Sequence, residues 1–550
     1  MTIYFPAAFP LACALLAAAL GKFMPRAAKF LAFAGTSLAF IGLITLNNFS
    51  NIINNAPDTA ALTIACFIAL YGILASLWAA QEEESPLFYF NILLSTAFAV
   101  GAVITDNLLA MLFFWEGLLI TLYLFLMPYN KDTALKAFLI NAAGDIVLLA
   151  GICLFYANSH SLLYVSLIGD NFWAFALIFC GAAAKAGAFP FHSWIAPAAK
   201  DAPFAFLAMM PAAFEKLLAI FLLGRIFIVL FPVPPDMARV FACIIGAITV
   251  IVSAARMLVF KDLRGLLAWA VVMQIGLFIT ALGARLITET DISYILNHGI
   301  FKAALLACAF FTAGALNKAC GGNDIAALRG AAKTDILLFA ALLICALGLA
   351  GVSIVDIIFI PNAALIDCYD AMPMLAAVPA AAALSALFAF GKVLLAMLHK
   401  THKIARPAGL QKAIALAAFA PVLFFTFGLE FSAEHLFLPH FSGVHTGAVS
   451  VICIVLLLAG LLLAAKVKQP VYEFKYDTYD RAKAAISFCA DILFMVDRVM
   501  DKLFDYLPSQ VVKNLARGLS QAHRGNTPQY IIWAVAGIAV FIILAWGGLK

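Results

Sequence analysis

Residues 181–203 read GAAAKAGAFPFHSWIAPAAKDAP, and residues 211–225 read PAAFEKLLAIFLLGR. The first run is apolar enough to enter a bilayer, yet it carries Lys185 and is then interrupted by Gly187, Pro190 and Pro197. Proline removes a backbone donor and clashes with the preceding turn, so a helix entering this stretch breaks. The second run holds Glu215 and Lys216 within another apolar stretch. Ionisable groups inside a membrane span cost roughly 2.5–3.5 kcal/mol each on insertion scales, so each needs a reason to be there. Gly/Pro-interrupted spans beside such groups point to a path at mid-membrane depth.

The rest of the chain agrees. Of its 550 residues 65% are hydrophobic and 11% charged, where soluble chains have about 45–50% and about 25%. This excludes disorder, a disulfide scaffold and an ordinary cytosolic enzyme. The net charge of +5 is small for the length and argues against nucleic acid as a partner. The 11 cysteines are scattered, without CxxC or Cys/His zinc spacing, which reads as core packing. The chain has no cofactor or metal motif of its own.

A membrane helix needs about 20 mostly apolar residues. Sixteen stretches qualify, centred near residues 13, 38, 70, 96, 116, 145, 180, 218, 248, 275, 303, 345, 386, 422, 456 and 539. The first, Tyr4–Gly21, lacks a basic leader and a small-residue cleavage site, and reads as a retained span. Alternate loops, beginning with Lys22, Arg26 and Lys29, collect 26 of the 34 Lys and Arg residues, and the opposite side only Arg239, Arg285 and Lys550. The positive-inside rule then puts both termini outside and the span count even.

Residues 466–526 hold 17 of the 63 charges. Within them Ile492, Val496, Val499, Leu503 and Tyr506 recur at spacings of three and four, with Asp491, Arg498, Asp501, Lys502 and Asp505 between them. That is an amphipathic helix on the inside face. It either floats on lipid headgroups or runs as a strut along other membrane proteins. Ten basic and seven acidic residues in the segment favour the protein partner, because lipid-surface helices are usually strongly basic.

Glu116, Lys185, Lys216 and Lys302 sit six or more residues from a span end, too deep for easy snorkelling. His298 and Lys302 are four apart and share a helical face. Lys392 and Asp145 lie nearer span ends, where Lys392 can snorkel and Asp145 can cap or pair with Lys136. Lysines, carboxylates and a histidine at one depth suit a proton relay, because burial and nearby charge tune when each holds its proton. Several lysines argue against a dedicated sodium or calcium site. A second interruption, Gly348, Gly351 and Pro361, falls five spans after the first. Two inverted five-helix repeats follow.

These runs resemble the signature region of the antiporter-like membrane subunits of respiratory complex I. Relatives of those subunits occur in membrane-bound hydrogenases and multisubunit cation/proton antiporters. KAFLINAAGD (136–145), KDLRGLLAWAVVMQIG (261–276), HGIFKAALL (298–306) and NDIAALRG (323–330) extend the resemblance. The span count and inside-face helix look like the distal, largest member, the NADH-quinone oxidoreductase subunit L type. The resemblance implies that Glu116 takes the family's fifth-span glutamate position, Lys185 its broken-helix lysine, Lys216 its eighth-span lysine and Lys302 its eleventh-span lysine. Three positions depart: Met210 stands where the family has histidine, Arg264 where lysine is frequent, and Pro361 where the second break carries lysine or glutamate. Asp356 is the nearest substitute for that last group.

The expected protein is therefore all-α and polytopic. Residues 1–85 carry spans 1–3, 86–231 a first repeat (spans 4–8) and 237–400 a second repeat (spans 9–13). Spans 14 and 15 follow in 412–466, the lateral helix in 473–521 and the last span in 529–548. The expected function is a proton-translocating subunit of a redox-driven pump in a bacterial or archaeal-type cell membrane. Glu116 and Lys185 form its switching pair, with Lys216, His298, Lys302, Asp356 and Lys392 as relay candidates. Flavin or iron–sulfur groups belong to partner subunits, and 473–521 contacts neighbouring antiporter-like subunits. A cation/proton exchanger, a membrane-bound hydrogenase subunit, an inorganic-carbon uptake subunit and a non-conducting scaffold are the alternatives.

Overall fold

A computed structural model of the chain describes residues 3–48 (except 22), 58–169 (except 83), 171–284, 292–351, 373–399, 409–420 and 445–466, with isolated positions at 407 and between 510 and 537. Two compact units, Met1–Glu473 and Phe474–Lys550, divide the chain. The described residues of the first unit are helical apart from turns and two isolated bridges.

The helices run in the order α1 (Phe5–Leu20), α2 (Pro25–Asn48), α3 (Thr59–Glu82), α4 (Pro86–Ile104), α5 (Leu108–Leu126) and α6 (Lys131–Ser159). Next come α7 (Phe172–Ala186), α8 (Ile195–Asp201), α9 (Phe204–Met209), α10 (Glu215–Arg225), α11 (Asp236–Met257) and α12 (Leu263–Ala284). The series ends with α13 (Ile292–Cys320), α14 (Ala331–Thr334), α15 (Ile336–Leu349), α16 (Ala377–Leu398), α17 (Gly409–Ala417) and α18 (His445–Lys466). Among the described residues ten helical segments are long and apolar enough to cross a membrane, and α1 and α15 are shorter apolar helices. Most of the expected spans near 422 and 539 and of the lateral helix 473–521, together with Asp356 and Pro361, lies outside the described residues.

Local chemistry sets the helix starts. Asn107 accepts hydrogen bonds from the Leu109 and Ala110 N–H groups, and Asn130 from Thr133 N–H. Asp335 accepts from Leu337 and Leu338 N–H at the start of α15. Such caps satisfy backbone donors that the first turn leaves without partners. Ser85 with Pro86 behind it opens α4 in the same way.

Packing sorts the helices into an inner and an outer set. In α12 and α13, 89% and 94% of the most apolar window is buried, against 39% in α2, α6 and α11. The innermost helices are thus those carrying Gln274 and Lys302. Where α6 meets α7 the backbones come close: a Cβ on Gly144 would stand 2.4 Å from Ala184 Cβ, and one on Gly181 would stand 2.4 Å from Leu148 Cβ. Small residues at such crossings let membrane helices gain dispersion contact without a hydrophobic driving force.

Candidate functional site

The first break forms as the Gly/Pro pattern predicts. α7 ends at Ala186, and Gly187 adopts φ +76°, a left-handed conformation that favours glycine. The Gly187 N–H bonds to Ala184 O (3.0 Å) and the Ala188 N–H to Ala183 O (2.9 Å), so the helix end closes on its own backbone. Phe189 N–H donates to Thr249 Oγ1 at 3.0 Å. A short turn, Phe191–Trp194, then leads into α8.

Lys185, one residue before the end of α7, is 1% exposed. Its Nζ lies 3.7 Å from Asp145 Oδ2 and donates to Trp115 O at 3.3 Å. Trp115 Nε1 in turn donates to Asp145 Oδ1 at 2.9 Å. One residue from each of α5, α6 and α7 therefore meets in a buried knot. The expected Glu116–Lys185 pair takes a different form: Lys185's ion-pair partner is Asp145, while Glu116 is exposed on the outer side of α5. Glu116 still interacts electrostatically with both Asp145 and Lys185. The Lys136 pairing considered for Asp145 is not available, for a helical reason. Nine residues span about 13.5 Å and two and a half turns, which puts the two on opposite faces.

Past the break, α9 and α10 are joined by a π-helical segment, Met210–Phe214, that contains Pro211. Proline lacks the N–H that an α-helical turn would use, and a π segment is a common way for a helix to absorb it. Glu215 and Lys216 follow immediately, 2% and 1% exposed. Neither Glu215 Oε1 nor Lys216 Nζ has a hydrogen-bond partner among the described residues. Burying an ion without a partner costs several kcal/mol, so two such side chains in one buried turn need a reason to be there. Glu215 interacts electrostatically with Lys185 and Asp145, and Lys216 with Lys302.

At the second break α15 ends at Leu349, and Gly351 has φ +73°. Side chains of other helices cap this end: Lys302 Nζ donates to Gly348 O, and Gln274 Nε2 donates to Leu349 O at 2.6 Å. Lys302 is buried and lies 5.8 Å from the Phe301 ring centroid. His298 is one turn earlier on α13, and its side chain lies outside the described residues. Lys392, on α16, is half-buried, with Nζ 5.6 Å from the Phe388 ring centroid.

Five buried ionisable side chains, Asp145, Lys185, Glu215, Lys216 and Lys302, thus lie on α6, α7, α10 and α13, and of these Lys185 and Asp145 form an ion pair. Asp145 and Glu215 are buried with the lysines, and Gln274 caps the end of α15, although the sequence ranked them low or passed over them. For Asp145 the signal was available: its helical phase excludes Lys136 and leaves a buried carboxylate seeking a cation. For Gln274 there was none, since its partner lies 75 residues away.

Arg264 is a structural clamp. Its Nη1 donates to the carbonyls of Ala199, Lys200 and Ala202 at 3.4, 3.0 and 3.2 Å, and its guanidinium lies 3.9 Å from the Phe204 ring centroid. It holds the C-terminal end of α8, where a cation complements the helix dipole. Arg225 pairs with Asp58 and packs on the Tyr164 and Phe221 rings, as an anchor at the far end of α10. In the loop between α3 and α4, Glu84 accepts a hydrogen bond from Tyr129 at 2.8 Å. Burial lifts its carboxyl above the usual range, although the Tyr129 hydroxyl pulls the other way. Among the described residues no three His, Cys, Asp or Glu side chains come together as a metal site would require.

Residues 105–388, just over half the chain, match the family described as NADH:quinone oxidoreductase/Mrp antiporter, transmembrane. The putative antiporter subunit mnhA2 of Staphylococcus aureus is 27% identical over 364 residues, covering 60% of this chain and 44% of that protein. The chain thus spans less than half the length of the curated relatives it matches. Three solved structures share the fold. A chain of the Mrp complex from Dietzia sp. DQ12-45-1b superposes with TM-score 0.71 at 18% identity, over 100% of this chain and 63% of that one. A chain of the archaeal membrane-bound sulfane sulfur reductase gives 0.67 at 16% identity, over 98% and 100%. A chain of Thermus thermophilus respiratory complex I gives 0.64 at 22% identity, over 77% and 96%.

Proposed function

Because the chain belongs to the NADH:quinone oxidoreductase/Mrp antiporter transmembrane family, we propose that it is a proton-translocating subunit of a multisubunit membrane pump driven by electron transfer in partner subunits. The observation that carries this reading is the burial of five ionisable side chains, Asp145, Lys185, Glu215, Lys216 and Lys302, on helices that pack against one another. Nothing about packing calls for three lysines and two carboxylates in an apolar interior, and groups of these kinds suit stepwise proton transfer.

In this scheme Lys185 changes its hold on a proton as Asp145, with Glu116 beside it, approaches or withdraws. Glu215 passes that change to Lys216, and Lys216 exchanges a proton with Lys302, with His298 bridging the step. Asp356 and Lys392 are the candidates for continuing the path. Moving one charge against 100 mV requires about 2.3 kcal/mol, a scale that modest changes in proton affinity supply. Flavin or iron–sulfur chemistry resides in the partners. The amphipathic segment 473–521 runs along neighbouring membrane subunits. The fold has sixteen spans in a cell membrane, with spans 4–8 and 9–13 as inverted repeats and both termini outside.

The likeness to mnhA2, a putative antiporter subunit, favours a second reading: exchange of a cation for protons with no electron transfer. Copurification and mass spectrometry of the intact complex separate the two, by whether redox subunits accompany the chain. The relay itself is tested by Lys216→Ala in the reconstituted complex. Proton transfer by a positioned group contributes about a hundredfold or more to rate, and a loss of that order is expected. Unchanged translocation would remove Lys216 from the path.

A further inference from the structure

The two breaks end differently. At the first, glycine lets the backbone of α7 cap itself, and Lys185 points elsewhere. At the second, the Ala350 N–H reaches Ala346 O (3.0 Å) and the Gly351 N–H reaches Gly348 O (3.1 Å). Leu349 O is then the acceptor taken by Gln274, next to the carbonyl taken by Lys302. A carbonyl can only accept, so the amide nitrogen of Gln274 must face it, and the orientation of the side chain is determined. Gln274 is 0% exposed, stands midway along α12, and its Oε1 has no hydrogen-bond donor among the described residues. A polar side chain placed at the centre of the most enclosed pair of helices is there for more than filling space.

We propose that Gln274 is a positioning residue, whose uncharged amide fixes the end of α15 so that Lys302 meets the Gly348 carbonyl in both of its charge states. Lys302's bond to that carbonyl is strong while the amine is charged and weakens once it is neutral. The amide's bond to Leu349 O does not change with proton traffic. It keeps the helix end, with its partial negative charge, at a constant distance while Lys302 gains and loses its proton. The inference rests on Lys302 carrying protons as proposed above.

Among the described residues the charged groups on the helices around Lys302 are these. Lys216 of α10 interacts with it electrostatically, and Arg225 at the far end of α10 is paired with Asp58. α15 and α9 carry no charged side chain, and α12 has only Arg264, about 15 Å along the helix from Gln274 and engaged with α8. On the other neighbours of α13, Glu82 at the end of α3 is paired with Lys318, and Lys412 of α17 with Asp335. Glu215 is next to Lys216 on α10, and His298 stands one turn away on α13 itself. The Gly348 carbonyl at the helix end is the group that Lys302 Nζ contacts directly.

The test uses two readouts on the full chain. Native Cys345, fully buried one turn before Gly348, reports on the helix end through its rate of alkylation by N-ethylmaleimide, read by peptide mass spectrometry. Gln274→Leu leaves a buried carbonyl unsatisfied, and alkylation should rise about fivefold or more. Gln274→His, which retains an N–H donor, should restore a rate close to that of the wild type. In the reconstituted complex, Gln274→Glu places a carboxylate near Lys302. The pH of half-maximal translocation should then move upward by about half a unit or more. Unchanged Cys345 alkylation in Gln274→Leu, or an unshifted pH profile in Gln274→Glu, overturns the assignment. If wild-type chains translocate no protons while Gln274→Leu still exposes Cys345, the proton-transfer reading has failed and the positioning of the helix end stands.

Discussion

Asp145 and Glu116 are both carboxylates within reach of Lys185, and only one of them is buried against it. Removing one member of a buried pair strands the other charge and costs about 3–5 kcal/mol, whereas an exposed substitution stays within about 0.5 kcal/mol. Asp145→Asn should therefore lower thermal stability in detergent far more than Glu116→Gln. Equal shifts in the two melting curves would mean that the knot of Trp115, Asp145 and Lys185 is not holding α5, α6 and α7 together. At this scale the sequence discloses depth better than partnership. Lys185, Lys216 and Lys302 stand out because charge is rare in apolar runs, and all three are buried. That Lys185 faces α6, or that Glu116 turns outward, depends on how helices rotate against one another. α5 is apolar almost all round, so nothing in its pattern reveals the rotation.

Among the elements, the broken span at α7 and α8 is the one whose local chemistry is easiest to read. Gly187 has φ +76°, and a Cβ there would stand 2.4 Å from Ile195 Cδ1. A left-handed non-glycine residue costs about 1–3 kcal/mol even without a clash. Gly187→Ala should thus destabilise the protein by about 2 kcal/mol or more, measured as a drop in melting temperature. A variant as stable as the wild type would imply that the turn can relax. The Gly/Pro run announces this break in the sequence, and Pro211 equally announces an irregular turn before Glu215. The kind of irregularity is not announced: a π segment and a kink are both answers to a missing N–H, and tertiary packing selects between them. The side-chain capping of α15 was illegible for a related reason, because Gln274 and Lys302 belong to other helices.

For the whole molecule, the distribution of Lys and Arg yields an orientation that packing alone cannot supply. With 26 basic residues on one set of loops and three on the other, reporter fusions make the proposed topology measurable. Green fluorescent protein fused after Lys400 should fluoresce, as expected of an inside location, and alkaline phosphatase fused after Lys550 should be active, as expected outside. An inactive phosphatase at Lys550 beside a fluorescent fusion at Lys400 would mean an even number of spans between the two, not the three proposed. The order of the partners along the chain has a further consequence, for biosynthesis. Trp115 and Asp145 are made before Lys185, and Gln274 and Lys302 before Gly348 and Leu349. Chains are built and begin to fold from the amino terminus. The costly members Asp145, Gln274 and Lys302 are therefore made before the groups that satisfy them, and the nascent chain must shelter them until about 40 to 75 further residues have been added.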